Sequence, residues 1–275
     1  MTKRRETLER IADALERLAP AITPPQDWLS APAYVWDGER ARAVAALDAL
    51  PLDTLRGIDE QRAAFATNVE RLAQGAAAHD TLLWGARGMG KSALVRAAVA
   101  AVQNQGVHDI ALVQISSGAL GTVPHLLTQL GEVERSFLLF IDDLGFGTGQ
   151  KSDMLAVRSL LQGGVTPRPA RVRVVVTSNR GAIVQRDANE SEALHERDTR
   201  DDALALADRF GLTLGFHPCE RETYLDIVRA YTEPLGLTID EEEAMAWAIE
   251  RGSRSGRTAH QFAIELVGRA GLSAN

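Results

Sequence analysis

Apolar residues along this chain fall into two regimes. Between residues 80 and 217, short and nearly unbroken apolar runs recur at 80–84, 110–115, 136–141, 172–177 and 212–216, separated by helical stretches near 91–105, 123–130 and 152–162. Runs without polar alternation predict strands buried on both faces, and helical connections between them imply a parallel sheet covered on two sides. After His217 the pattern becomes purely helical, over about 220–232, 240–251 and 256–270, which predicts a small helical domain behind the α/β core. Upstream, Leu8, Ile11, Leu15 and Leu18 recur at helical spacing, so residues 3–19 read as an amphipathic helix. Pro20, Pro24, Pro25 and Pro32 then mark a linker, with Tyr34 and Trp36 as anchors against the core. Further helices are expected over 39–50, stopped by Pro51, and over 59–74, stopped by Gly75. The densely charged stretch 185–203 reads as a solvated surface loop. The expected division is an N-terminal helical extension and Pro-rich linker over 1–52, an α/β core over 53–217 and a helical lid over 218–275.

Composition narrows the class. A chain of 275 residues with 45% hydrophobic content can bury a sizeable core, and a formal charge of −7 argues against a surface that coats nucleic acid generally, though not against a local basic groove. A single cysteine, Cys219, rules out an internal disulfide and suits a reducing cytosol, where it reads as a bystander thiol. No apolar run reaches membrane-spanning length, so a cytoplasmic protein with no membrane contact is expected. The six histidines are scattered without ligand spacing, and they read as surface or packing residues.

The chemistry begins at Gly85-Ala86-Arg87-Gly88-Met89-Gly90-Lys91-Ser92, which fits the phosphate-binding loop, the Walker A pattern. The glycines let successive N–H groups turn inward onto phosphate oxygens, Lys91 can reach the β- and γ-phosphates, and the Ser92 hydroxyl can ligate Mg²⁺. Ala93 continues this binding set into the helix that follows the loop. Phe137-Leu138-Leu139-Phe140-Ile141-Asp142-Asp143 is the Walker B partner, an apolar strand ending in carboxylates. Asp142 can hold Mg²⁺ through water; Asp143 stands where many such ATPases place a water-polarising Glu, and it reads either as a shorter base or as a supporting acid. Asn179 ends the strand Val174-Val175-Val176-Thr177-Ser178 and can hold the lytic water or touch the γ-phosphate. Arg209, in Asp208-Arg209-Phe210-Gly211, is a candidate arginine finger donated to a neighbouring subunit, or a surface partner of Asp208. Arg251-Gly252-Ser253-Arg254-Ser255-Gly256-Arg257 opens the last helix with three arginines suited to anions; Arg257 is the first choice to reach the γ-phosphate, and Arg254 the second.

In this order the motifs resemble the AAA+ ATPases and, more narrowly, the bacterial predicted ATPases grouped as domain-of-unknown-function family 815. Gly57-Ile58-Asp59-Glu60-Gln61 and Thr177-Ser178-Asn179-Arg180 are further matching stretches, and together they span about residues 53–265. The resemblance implies a three-layer α/β parallel sheet of AAA+ (ASCE) type, with strand order 5-1-4-3-2, N-terminal helices and a C-terminal helical lid. It further implies that Asn179 is the sensor-1 residue, Arg209 the arginine finger and Arg257 the sensor-2 residue, with Gly57 and Ile58 lining the adenine pocket. The Asp-Asp pair departs from the Asp-Glu of strong motors and is similar to the pair in replication initiators, which often act as ATP-controlled switches.

The leading expectation is a Mg²⁺-dependent ATPase that assembles with copies of itself, Arg209 acting in trans, and remodels or switches an unidentified client, protein or DNA. The alternative is an ATP-dependent scaffold or switch with negligible intrinsic hydrolysis. A small-molecule kinase using the same loop fits the arginine pattern least well.

Overall fold

The computed structural model describes residues 5, 10, 26–145, 151–163, 167–179 and 204–272. The amphipathic stripe expected over 3–19 and the charged stretch 185–203 lie outside the described residues, apart from Arg5 and Arg10, which are helical. Strands β1 (Ala33–Trp36) and β2 (Ala41–Val44) come first, followed by helix α1 (Asp59–Ala73). The alternating part then runs β3 (Thr81–Gly85), α2 (Lys91–Gln105), β4 (Ile110–Ile115), α3 (Val123–Gly131), β5 (Ser136–Ile141), α4 (Lys151–Gln162), β6 (Val172–Ser178) and β7 (Leu212–Phe216). Helices α5 (Arg221–Thr232), α6 (Glu241–Glu250) and α7 (Gly256–Arg269) close the chain.

The seven strands among the described residues join one sheet in the order β2-β1-β4-β5-β6-β3-β7, and every pairing except β1 with β2 is parallel. Read from the β7 edge, the five strands β7, β3, β6, β5 and β4 give the expected 5-1-4-3-2, and the β1–β2 hairpin extends that core beyond β4. Side chains alternate across each strand and so build two cores. Leu138 and Phe140 of β5 join Leu83, Leu112 and Val175 beneath α1 and α2, with Phe65, Val69, Leu94 and Val99 packed against them. Phe137, Leu139 and Ile141 face the other way, joining Leu82, Val113, Val174 and Val176 over α3 and α4, with Leu126, Leu130 and Val157. The result is three layers. No described helix is long and apolar enough to cross a membrane.

The hairpin corrects the helix expected over 39–50. Asp37 accepts the N–H groups of Glu39 and Arg40 at 2.9 and 2.8 Å, the Asp37 N–H returns to Arg40 O at 3.1 Å, and Gly38 takes φ +117°. That turn folds Ala41–Val44 antiparallel onto Ala33–Trp36, which itself pairs with β4. Alanine-rich sequence supplies only a weak helical preference, and the otherwise unpaired edge of β1 outweighs it. Tyr34 and Trp36 are buried as anchors, but inside a strand of the sheet.

A buried arginine fixes the segment leading into the hairpin. Arg135 Nη1 donates to Trp28 O at 2.7 Å and to Ala31 O at 2.8 Å, while Nε lies 2.7 Å from Asp109 Oδ1. Only the last of these partners is substantially exposed. Arg135→Met keeps much of the apolar volume but strands two carbonyls, so it should lower stability by about 2–4 kcal/mol, read as a fall in the urea midpoint. An unchanged midpoint would show that the strap is held by packing alone.

Candidate functional site

The parallel order delivers the carboxyl ends of β3, β5 and β6 side by side, where an open α/β sheet forms its crevice. β3 runs into the glycine loop, and its last residue is too close to β7 for any side chain. At Gly85 (φ +123°) a Cβ would sit 2.0 Å from Phe216 O, and the next residue's N–H, Ala86, donates to that same oxygen at 2.8 Å. The loop ends at Gly90, which starts α2 without a side-chain cap, so the first-turn N–H groups of a 15-residue helix face the crevice. Unpaired donors and the positive end of the helix dipole suit an anion there.

Lys91 is buried to 6% exposure, and its Nζ donates to Gly85 O and Ala86 O, both at 2.8 Å. Burial pushes its ammonium down to about 8, against the opposing pull of Asp143 and Asp142. Ser92 Oγ donates to Asp142 Oδ1 at 2.7 Å, and Thr177 Oγ1 donates to the same oxygen at 2.6 Å. The Asp143 N–H donates to Thr177 Oγ1 at 2.8 Å, and Asn179 Nδ2 donates to Asp143 Oδ1. Asp143 adopts φ +55°, a left-handed backbone that non-glycine residues take uncommonly and that often marks functional sites. Arg87 Nη2 lies 3.7 Å from Asp143 Oδ2.

These groups open onto a cavity of about 680 Å³. Of the expected site residues, Ile58, Arg87, Gly88, Met89, Gly90, Lys91, Ser92, Ala93, Asp142, Asp143, Asn179 and Arg257 line it. Gly57, Gly85, Ala86, Arg254 and Arg209 do not. Gly57 packs behind the cavity, where a Cβ would lie 2.2 Å from the methyl of Thr223 on α5. Arg254 stands outside the lining, and its carbonyl accepts from Cys219 Sγ at 3.1 Å. Burial pushes the Cys219 thiol up, which is the behaviour of an inert buried cysteine. The half-buried Arg209 donates through Nη1 to Ala205 O of its own chain.

The last helix closes one side. Ser255 caps α7 by accepting the Thr258 N–H at 3.3 Å, and the Arg257 N–H donates to Gly88 O at 3.0 Å. A Cβ on Gly88 (φ +75°) would meet Ser255 Oγ at 2.9 Å, so the glycine that shapes the loop also admits the lid. Several lining residues escaped the sequence reading. Asp48, Leu50, Thr54, Leu55 and Arg56 come from the segment between β2 and α1, and Ile227, Tyr231 and His260 from the lid. The rings of Tyr231 and His260 stand 4.9 Å apart. The three-residue spacing of Arg257 and His260 was a usable signal, since it places both on one helix face.

Ser92 and Asp142 offer two hard oxygen donors side by side, the kind of set that holds Mg²⁺ together with waters and substrate phosphates. Among the described residues no group of three or more His, Cys, Asp or Glu could hold a metal by itself.

No curated protein matches the chain. Among solved structures, a variant of Thermotoga maritima RuvB aligns over 81% of this chain and 66% of its own, at 17% identity and a TM-score of 0.53. The Aeropyrum pernix ORC1 protein, solved in complex with DNA, aligns over 80% of this chain and 65% of its own, at 14% identity and a TM-score of 0.55. The chain thus spans just under two thirds of the length of each, and the likeness is one of fold: a three-layer α/β core followed by a helical domain. The model described as "Protein of unknown function (DUF815)" matches residues 29–270, and the chain therefore belongs to that family.

Proposed function

We propose that the protein is a Mg²⁺-dependent ATPase that assembles with copies of itself and uses the nucleotide cycle to switch or remodel a client. The observation that carries this reading is the meeting of a glycine loop, a buried lysine, a hydroxyl–carboxylate pair and a lid arginine around one cavity of about 680 Å³. A nucleoside triphosphate would lie with its phosphates on the α2 N-terminus and its base among Ile58, Leu50, Leu55, Ile227 and Tyr231. Lys91 would exchange its two loop carbonyls for phosphate oxygens, and Arg257 would approach from the lid. Ser92 and Asp142 would hold Mg²⁺, which supplies charge neutralisation at the β- and γ-phosphates. Asp143 and Asn179 would orient the attacking water, with Asp143 taking its proton. Arg209 lies outside its own cavity, as a residue presented to a neighbouring subunit would.

The second reading, an ATP-dependent scaffold or switch with negligible turnover, is favoured by Asp143 itself. Its shorter side chain is already engaged by Asn179 and faced by Arg87. The client, protein or DNA, follows from neither reading. A DNA client would show binding to random duplex that weakens steeply with salt.

Phosphate release from MgATP over a wide protein concentration series tests the shared site. Turnover per subunit should rise with concentration and saturate, and Arg209→Ala should cut the plateau rate about a hundredfold or more while ATP still binds. A rate independent of concentration, or an active Arg209→Ala variant, would remove the trans arrangement.

Lys91 gives a second test. With an ammonium near 8, part of the unliganded protein is deprotonated at pH 8–9, and phosphate oxygens stabilise the charged form. ATP binding should therefore take up protons, most strongly above pH 8, and affinity should decline as pH rises through that range. Calorimetry in buffers of different ionisation enthalpy measures the uptake; Lys91→Arg, which stays charged, should abolish it. In the same assays Asp143→Glu should hydrolyse faster than wild type if the short base limits the rate, and no faster if assembly or a partner does.

A further inference from the structure

Asp143 is the acid on which hydrolysis would turn, and both of its oxygens face a partner in the structure. Asn179 Nδ2 donates to Oδ1, and Arg87 Nη2 stands 3.7 Å from Oδ2. The backbone gives the carboxylate little room to escape, because the Asp143 N–H is fixed to Thr177 Oγ1 at 2.8 Å and φ is held at +55°. The two partners differ in kind. Asn179 follows the end of β6, at the edge of the sheet, whereas Arg87 belongs to the phosphate loop and carries an exposed side chain.

Arg87 also has an alternative. It lines the same cavity as Lys91 and Arg257, and its side chain is 74% exposed, so it can turn without disturbing packing. A guanidinium prefers a phosphate or a carboxylate in a bidentate fork, and at 3.7 Å its contact with Asp143 is an ion pair without short hydrogen bonds. The pair is therefore breakable, and the group that could break it is the triphosphate itself. Asp143 is faced by Lys91 as well, but that ammonium is buried and committed to Gly85 O and Ala86 O. Arg87 is the cation here that is both in reach of the carboxylate and free to rotate.

We propose that Arg87 is a positioning residue that restrains Asp143. Its guanidinium holds the carboxylate toward the phosphate loop, and a seated triphosphate competes for the arginine and frees the carboxylate in only part of the filled sites, so that turnover is coupled to how well the loop is filled. This rests on the ATPase reading above and adds a restraint that the phosphate loop exerts on its own catalytic acid. No bond is made or broken by Arg87; it changes only the fraction of sites in which Asp143 can accept a proton from water. With both partners more than half exposed, the pair should shift that fraction by about two- to fivefold and no more.

The test compares wild type, Arg87→Ala and Arg87→Lys in single-turnover hydrolysis at saturating MgATP, with ATP affinity measured separately by titration. Once its sites are saturated, Arg87→Ala should be about two- to fivefold faster than wild type whatever its ATP affinity, and Arg87→Lys, which keeps the charge, should fall nearer wild type. A slower Arg87→Ala with weakened ATP binding would make Arg87 a phosphate ligand and overturn the restraint. Equal rates in all three would show that the ion pair is idle, and Arg87→Lys as fast as Arg87→Ala would exclude charge as the cause. If neither hydrolyses while both bind ATP, the ATPase reading fails along with the restraint; if wild type hydrolyses and Arg87→Ala is unchanged, only the restraint fails.

Discussion

Thr177 Oγ1 donates to Asp142 Oδ1 at 2.6 Å and accepts the Asp143 N–H at 2.8 Å, while Thr177 O accepts the Leu144 N–H at 2.8 Å. Through one buried residue the end of β6 is stitched to the chain leaving β5, and Ser92 adds the start of α2 to the same carboxylate. The arrangement holds only because β5 and β6 are in parallel register, Phe140 beside Val175 and Ile141 beside Val176. A slip of one residue would turn both apolar faces over and carry Thr177 to the wrong side of the sheet. The hydrophobic core thereby sets the chemistry of the rim: burial fixes register, register fixes the hydroxyl, and the hydroxyl fixes the Asp142 carboxylate and the Asp143 backbone.

The charges around the cavity follow a second logic. The chain as a whole is acidic, at −7, yet Arg56, Arg87, Lys91, Arg96 and Arg257 line this one hollow with only Asp48, Asp142 and Asp143 against them. A local excess of cations in an acidic protein is selective. It suits a small polyanion of a size to fit inside. Lys91 is held there at the cost of desolvation, which leaves its ammonium less firmly protonated than a surface lysine.

The five core strands were legible because their apolar runs are unbroken and short, and parallel sheets buried on both faces leave that mark. The order of those strands came from family resemblance, since periodicity carries no information about neighbours across a sheet. The hairpin was misread because alanine richness over 39–50 outweighed a turn signal already present, Asp37-Gly38 between two strand-length segments. Lys91, Ser92, Asp142 and Asn179 could be named from spacing and composition, since each sits at a strand end or on the loop. Thr177 was passed over as part of an apolar strand, because its partners are 34 and 35 residues away in sequence. Arg257 was named ahead of Arg254 without a geometric reason; in the structure α7 begins at Gly256, so that Arg254 stands before the cap and Arg257 lines the cavity. Tyr231 and His260 converge from separate helices, and nothing in a linear reading pairs them.

The lid touches the phosphate loop through main chain as well as side chain. Arg257 N–H bonds to Gly88 O, Gly256 sits so close that an added Cβ would lie 3.0 Å from that oxygen, and on the far side Gly57 presses against Thr223. A contact made by backbone survives most changes of side chain, so this seam behaves as a fixed tooth between two gears. Whatever reshapes the loop must either carry α7 with it or strip the bond. For as long as that bond holds, a movement of the helical domain and a change in the eight-residue loop are, for this molecule, one degree of freedom.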